Sequence, residues 1–356
     1  MSLHNNQQYS DSLRRVEEHF PHWAQLEGRT LLFTGASGMI GSFLVDMIMQ
    51  RNRSLPTERR CRIIAMGRST RQAEARFAPW WEDACFRFCT QDVTEPLAQL
   101  PREPDYLIHG ASTTHPQAYA TQPVNTILAN VFGTKNLLDT AAQYPGCRFL
   151  LLSSVEIYGE NRGDTEAFAE DYCGYLNCNT LRGGYPAGKR VSEALCQAYI
   201  QEKGVDARIL RLPRIYGPTM QATDTKAAAQ FLQKGAAGED IVLKSEGRQL
   251  YSYLHTADAV SAVLWVLTRG EAGQAYNAGD PSSDILLRDL AQLIAEYAGT
   301  KVVFQLPDEV ERKGYSPVTR ALMDASRLRA LGWTPIYDIK QGLEETLDIL
   351  RERAGC

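Results

Sequence analysis

Short apolar runs alternate in the first half of the chain with longer stretches in which apolar residues recur every three or four positions. The runs are 30–37 (TLLFTGAS), 61–69 (CRIIAMGRS), 105–112 (DYLIHGAS), 148–159 (RFLLLSSVEIYG) and 207–217 (ARILRLPRIYG). Strands apolar on both faces belong to a parallel sheet covered by helices on either side. The stretches 125–144 (NTILANVFGTKNLLDTAAQY) and 189–204 (KRVSEALCQAYIQEKG) carry the helical period, and Gly204 stands where a C-cap should. The alternation predicts a doubly wound, Rossmann-like α/β domain at 29–216, with a return segment near 253–279. After Gly217-Pro218 the pattern turns to helices with short strands and closes on the helical 343–353 (LEETLDILRER). A smaller, mixed α/β domain, 217–252 with 280–356, is expected over the carboxyl edge of the sheet, where ligands bind in such folds. Ahead of the first strand, Leu13, Val16 and Phe20 recur at helical spacing, which makes 1–28 a packing arm.

A chain of 356 residues, 44% hydrophobic and 22% charged, has the material for a sizeable core and for this division. Its net charge of -4, with Lys and Arg scattered among acids, offers no basic field, so nucleic acid is not an expected partner. The 8 cysteines include no CxxC pair and have no histidines at zinc spacing, which points to a reduced, cytoplasmic protein without a metal. The first twenty residues carry no apolar secretory core, and no apolar run approaches the ~18 residues that cross a bilayer. Neither secretion nor a membrane span is expected.

The first strand runs directly into Gly35-Ala36-Ser37-Gly38-Met39-Ile40-Gly41 and then a helical SFLVDMIMQ. Glycines three residues apart let the backbone turn tightly and approach a pyrophosphate, whose charge faces the helix N-terminus. An ordinary strand-to-helix turn is the competing reading, and the position at the head of a series of β/α units selects the cofactor. At the end of the second strand, where an NAD reader places an acid for the ribose hydroxyl, stands Met66-Gly67-Arg68-Ser69. Arg68 suits a 2′-phosphate or a stack on adenine, so NAD is expected and NADP stays open. Asp92-Val93, after the third strand, is placed to hold the adenine ring; a solvated turn aspartate is the alternative.

Tyr185 and Lys189 lie four residues apart at the start of a predicted helix, so their side chains share a face. A lysine ammonium near a phenol favours the phenolate, which makes the tyrosine a base. Ser154 is placed at the carboxyl edge of the sheet, able to bond the hydroxyl that Tyr185 deprotonates. His115 and His255 have no partner that marks a base and read as structural; Trp80-Trp81 reads as loop packing.

Over nearly its whole length the chain resembles the extended short-chain dehydrogenase/reductases, the sugar-nucleotide epimerases and dehydratases, and within them the UDP-glucuronate decarboxylases. The GxxGxxG turn is the first match. His109-Gly110-Ala111-Ser112, Pro116, Tyr119, Pro123 and Asn130 with Gly133-Thr134 follow. Then come Glu170-Asp171-Tyr172-Cys173-Gly174, Arg182, and Tyr185 through Gly188-Lys189-Arg190. Tyr216-Gly217-Pro218, His255-Thr256-Ala257-Asp258 and Leu331-Gly332-Trp333-Thr334-Pro335 are similar to C-terminal landmarks of the family.

The resemblance implies catalytic roles for Ser154, Glu156, Tyr185 and Lys189. It implies cofactor contacts from the glycine turn, Ala111, Ser112, Asn130, Tyr185 and Lys189, beside Arg68, Asp92 and Val93, and substrate contacts from Tyr119 and Arg182. At the substrate end Arg214, with Arg248 close in sequence, is read as binding phosphate or carboxylate in place of a lost cation, next to Tyr251. It further implies a nucleotide-sugar substrate, oxidised at C4 so that a C6 carboxylate becomes a β-keto acid, and a homodimer formed through the helices at 125–143 and 186–203. A dehydratase resembling this chain has an acid where Val155 stands, whereas Glu156 is kept as in the decarboxylases. Two departures touch the substrate: the family has asparagine in place of Arg214, and its arginine aligns with Tyr251. An epimerase, an NAD(P)H-consuming keto-sugar reductase and a non-catalytic dinucleotide-binding regulatory protein are the competing functions.

Overall fold

The computed structural model describes residues 2–97, 99–112, 114, 119, 121–305 and 318–355. The arm forms α1 (Gln7–His19), capped by Asn6, whose side chain accepts Tyr9 N–H, and buries Tyr9, Leu13 and Val16. Then β1 (Thr30–Thr34), α2 (Met39–Asn52), β2 (Arg62–Gly67), α3 (Thr70–Arg76) and β3 (Phe86–Thr90) build one half of the main sheet. The other half comes from β4 (Tyr106–His109), α4 (Pro123–Gln143), β5 (Arg148–Ser154), α5 (Gly184–Lys203) and β6 (Asp206–Leu212). The remainder holds β7 (Arg214–Tyr216), α6 (Ala227–Ala236), β8 (Ile241–Leu243), β9 (Leu250–His255), α7 (Thr256–Arg269), β10 (Ala275–Asn277), β11 (Asp284–Leu286), α8 (Leu287–Ala298), β12 (Val302–Phe304), β13 (Arg320–Ala321), α9 (Ser326–Ala330) and α10 (Ile339–Ala354).

The main sheet has seven strands in the order β10-β6-β5-β4-β1-β2-β3. All its pairings are parallel. The α/β, doubly wound expectation holds. Residues of β1, β4 and β5 are buried on both faces, as an interior strand between two helical layers must be. Strand order reverses between β1 and β4, and ligands of such sheets bind in the crevice opened there. Gly204 closes α5 in the left-handed conformation (φ 66°), as its position required.

Pro213 divides the run 207–217. β6 ends at Leu212 in the main sheet, and β7 begins at Arg214 in a second sheet beside β9. β9 pairs with β7 and β13 in parallel and with β11 antiparallel, while β8 and β12 form a separate parallel pair. A second apolar core lies here, with Phe231, Leu232, Leu290, Ile294 and Leu347 buried between α6, α8 and α10. Among the described residues no helix is long and apolar enough to cross a membrane.

Candidate active site

A cleft of about 1030 Å³ lies along the carboxyl edge of the main sheet, lined at one end by Gly35, Ser37, Gly38, Met39, Ile40 and Gly41. Gly35 has φ +76°, and a Cβ there would stand 2.9 Å from the Ala111 Cα. A Cβ on Gly41 would stand 2.7 Å from the Gly35 carbonyl oxygen and from the Phe33 ring. Only glycine fits either place, so the turn passes close beneath the end of β4. Gly38 opens α2 with no side chain capping the first N–H groups, which leaves those donors and the positive end of the helix dipole available.

Met66, Gly67 and Arg68 from the end of β2, with Asp92 and Val93 beyond β3, line the same cleft. Asp92 accepts from Thr94 N at 3.0 Å and Thr94 Oγ1 at 2.8 Å. The Thr94 backbone bond, with Arg68 nearby, holds its carboxyl below the ordinary range. Ala111 and Ser112 also line the cleft. Asn130 stands behind them, buried in α4, where Oδ1 accepts from Ser112 Oγ at 3.0 Å and Nδ2 donates to Thr126 O at 2.7 Å.

β5 ends at Ser154, where the backbone enters a tight turn (Val155–Tyr158) and Ser154 Oγ accepts Glu156 N–H at 3.2 Å. Tyr185 and Lys189 are buried one turn apart on α5. The Tyr185 ring stacks on Tyr119, centroids 4.9 Å apart. Lys189 Nζ donates to Leu152 O at 2.8 Å, and burial lowers its pKa to about 8. Burial first, and then the Glu156 carboxylate, push the Tyr185 phenol up, while hydrogen bonding with Ser154 and the Arg182 charge pull it back. The cation acting on the phenol is thus Arg182. Its Nη2 donates to Glu156 Oε1 at 2.6 Å and its Cζ lies 4.9 Å from the Tyr119 ring centroid.

Beside this cluster is a smaller recess of about 360 Å³, lined by Val155, Glu156, Arg182 and Arg214 among others. Arg214 Cζ lies 3.3 Å from the Tyr251 ring centroid, and Tyr251 Oη donates to Val318 O at 2.6 Å. Arg248 is not brought in: its side chain is 78% exposed and pairs with Glu246 at 2.8 Å. Burial lowers the pKa of His255 to about 3, so it stays neutral, and Trp80 and Trp81 pack within the protein. His115 and Pro116 lie outside the described residues.

Sequence reasoning passed over Asp224, Lys226 and Gln249, which line the cleft. Lys226 Nζ reaches Asp224 at 3.3 Å and Thr114 at 3.5 Å, and Gln249 Oε1 is buried without a partner. They sit in irregular segments after Gly217, where periodicity is silent. A buried amide at a strand entrance has no signature in one sequence.

Residues 31–279 match the model of the NAD dependent epimerase/dehydratase family. UDP-glucuronic acid decarboxylase 6 of Arabidopsis thaliana is 30% identical over 325 residues, covering 91% of this chain and 90% of that protein. UDP-glucuronic acid decarboxylase 1 of Xenopus tropicalis is 28% identical over 92% of this chain and 74% of its own length. Among solved structures, DesIV, a dTDP-glucose 4,6-dehydratase of Streptomyces venezuelae solved with NAD bound, is similar with a TM-score of 0.76 at 27% identity. That likeness covers 92% of this chain and 98% of DesIV. With the family model spanning the glycine turn, the Ser154 edge and the α5 pair, the chain belongs to the NAD dependent epimerase/dehydratase family and is an enzyme of that type.

Proposed function

We propose that this enzyme converts a nucleoside-diphosphate sugar through a 4-keto intermediate, acting as a UDP-glucuronate decarboxylase does, with NAD as cofactor. The observation that carries this reading is the convergence of Ser154, Glu156, Arg182, Tyr185 and Lys189 at one end of a cleft whose other end is the glycine cradle. The cradle fits a dinucleotide. Gly35 and Gly41 exclude a Cβ, and the uncapped start of α2 suits a pyrophosphate. Asp92 and Val93 would hold the adenine, Arg68 its ribose side with room for NADP, and Ala111 and Ser112, braced by Asn130, the far end. Bound there, NAD supplies a reversible two-electron acceptor for C4 of the sugar.

Tyr185 takes the O4 proton, with the Ser154 hydroxyl positioning O4 and Lys189, at about 8, able to exchange a proton near neutrality. Once C4 is a ketone, a C6 carboxylate is a β-keto acid. The C5–C6 bond then breaks, CO2 leaves, and the electron pair enters the C4 carbonyl as an enolate that takes a proton at C5. Burial favours the protonated phenol of Tyr185, the form needed to return a proton to O4. Glu156 and Arg182 position the carboxylated ring, and Val155 leaves no acid at its position to expel a hydroxyl. We also infer a cytoplasmic homodimer. The buried free thiols of Cys61, Cys147 and Cys196 suit a reducing compartment, and exposed Val124, Phe132 and Val191 on α4 and α5 suit a helical interface.

Incubation with UDP-glucuronate and NAD, followed by mass spectrometry, is expected to show CO2 and a UDP-pentose with no net reduction of NAD. A C6-retaining epimer, or stoichiometric oxidation of NADPH by a keto-sugar, would move the assignment to epimerase or reductase. Bound dinucleotide with no conversion of any sugar nucleotide would leave a binding protein.

A further inference from the structure

The half-buried charges beside the reacting centre do not balance. Glu156 is matched by Arg182 at 2.6 Å, and Glu160, also lining the recess, by Arg162 at 3.8 Å. Arg214 has no carboxylate partner among the described residues, and its Nη1 is buried without a hydrogen-bond acceptor. Nη1 of Arg182 is in the same condition. A buried charged donor without a partner is costly, and each such group needs an explanation. Both arginines line the 360 Å³ recess.

The position of the recess tells which part of a ligand enters it. Val155 and Glu156 directly follow Ser154, and Pro186 follows Tyr185, so the recess adjoins the proton-transfer groups. Val155, Glu156, Arg182 and Arg214 line the main cleft as well, so the recess opens from the cleft at this cluster. An anion held there lies at the Ser154 and Tyr185 end of the cleft, where the sugar ring reacts, away from the glycine cradle.

Arg214 is also held in place. β7 lies parallel to β9 with Arg214 opposite Tyr253, which lays the guanidinium over the Tyr251 face as a cation–π pair, and Tyr251 is anchored through Val318 O. An arginine at 251 would set two cations against each other, so the two departures from the family pattern are one coupled exchange. We propose that the recess is an acid-recognition subsite in which Arg214, seated on Tyr251 and joined by Arg182, binds a carboxylate on the sugar ring and selects acidic over neutral nucleotide sugars. This rests on the nucleotide-sugar reading and names the residues that set its selectivity. A planar guanidinium matches the two charged oxygens of a carboxylate, whereas a hydroxymethyl group offers a single neutral acceptor and leaves the cation uncompensated.

Binding separates this subsite from turnover. All titrations are made in the Tyr185→Phe background, in which UDP-glucuronate binds without being turned over, so that wild type below means Arg214 and Tyr251 unchanged. The NAD-loaded protein is titrated calorimetrically with UDP-glucuronate, UDP-glucose and UDP. The wild type is expected to hold UDP-glucuronate about 10- to 100-fold more tightly than UDP-glucose. Arg214→Gln should erase that preference by weakening UDP-glucuronate alone, and Arg214→Lys should retain part of it. Arg214→Asn combined with Tyr251→Arg, which returns the cation from the neighbouring strand, should restore it. Thermal melting verifies that each variant is folded, and Tyr251→Leu, which removes only the seat, should lower the preference if Arg214→Gln does not fold. Equal wild-type affinity for the two sugars overturns the inference and leaves the nucleotide-sugar reading standing. So does an Arg214→Gln variant that weakens both sugars and UDP equally, which places Arg214 on the diphosphate. Failure of all three ligands to bind the wild type would sink the nucleotide-sugar reading itself.

Discussion

Asp46 is a buried charge and Arg214 a half-buried one with a buried nitrogen, and their surroundings are opposite. Asp46, on α2, is fully buried and has a complete set of partners. It accepts from His4 Nε2 at 2.9 Å, Tyr9 Oη at 2.6 Å and Trp80 Nε1 at 2.8 Å, and it pairs with Arg76. Burial alone would raise its pKa, yet the Arg76 guanidinium and His4 hold it at about 2. These bonds tie the N-terminal arm and α3 to the helix that starts at the glycine turn. Arg214 has an aromatic face beneath it and an unpaired nitrogen above. A buried charge whose partners are complete belongs to the framework, and one whose partners are missing implies a ligand that brings them.

If that division is sound, damage on the two sides should fall on different observables. The most severe test is Tyr185→Phe, which removes one oxygen from the cleft. Turnover is expected to fall by about 10²- to 10⁴-fold, the range of a lost proton-transfer group. The ring stack on Tyr119 survives the change, so the melting temperature and dinucleotide affinity should stay near those of the wild type. Steady-state rates with a melting curve check both halves, and an active variant would take the proton transfer away from Tyr185.

Asp46→Asn should do the reverse. Removing one partner of a buried pair costs about 3–5 kcal/mol, because Arg76 then keeps its charge with nothing opposite. Urea melts at neutral pH measure it, and the turnover of the folded fraction should be unchanged. The pH dependence has a definite sign. The folded pKa of about 2 lies below the ordinary 3.8, so the unfolded chain binds the extra proton in between. Wild-type stability from this group is present above about pH 4 and drains away as the pH falls toward 2, a slope that the asparagine variant should lack. A stability loss under about 1 kcal/mol would break the comparison on its structural side.

The same contrast shows what one sequence reveals. β1, β4 and β5 were legible because burial on both faces writes a continuous apolar run, and the glycine turn because steric exclusion at Gly35 and Gly41 admits one residue type. β3 and β10 were harder. FRFCT lies at the sheet edge with Arg87 and Thr90 exposed, and Ala275–Asn277 is too short to show a period. Tyr185 and Lys189 were legible as one helical turn, but the cation acting on the phenol is Arg182, whose position depends on the turn preceding α5. The seat of Arg214 on Tyr251 arises from the pairing of β7 with β9, which no spacing along the chain encodes. Arg248, three residues before Tyr251, points into solvent because the chain there has not yet entered β9.

Glu156 lies between the two kinds of centre, since among the described residues its ion-pair partner is Arg182 at 2.6 Å. Its charge is the second cause, after burial, that raises the Tyr185 phenol, and it also holds the Arg182 nitrogen that pulls the phenol down. Glu156→Gln removes the first influence, which lowers the phenol pKa, and loosens the second, which acts the other way but is the smaller of the two, so the net change is downward. Because the lower pKa makes the proton easier to remove, the limb of the rate–pH profile governed by Tyr185 is expected to move to lower pH. The position of the limb, rather than the height of the plateau, is the quantity to read, because the height also reports how well the sugar is oriented. A limb that stays in place, or moves to higher pH, would show that Glu156 does not act on Tyr185 through its charge. Glu156 would then join Asp46 among the charges that only hold the framework together.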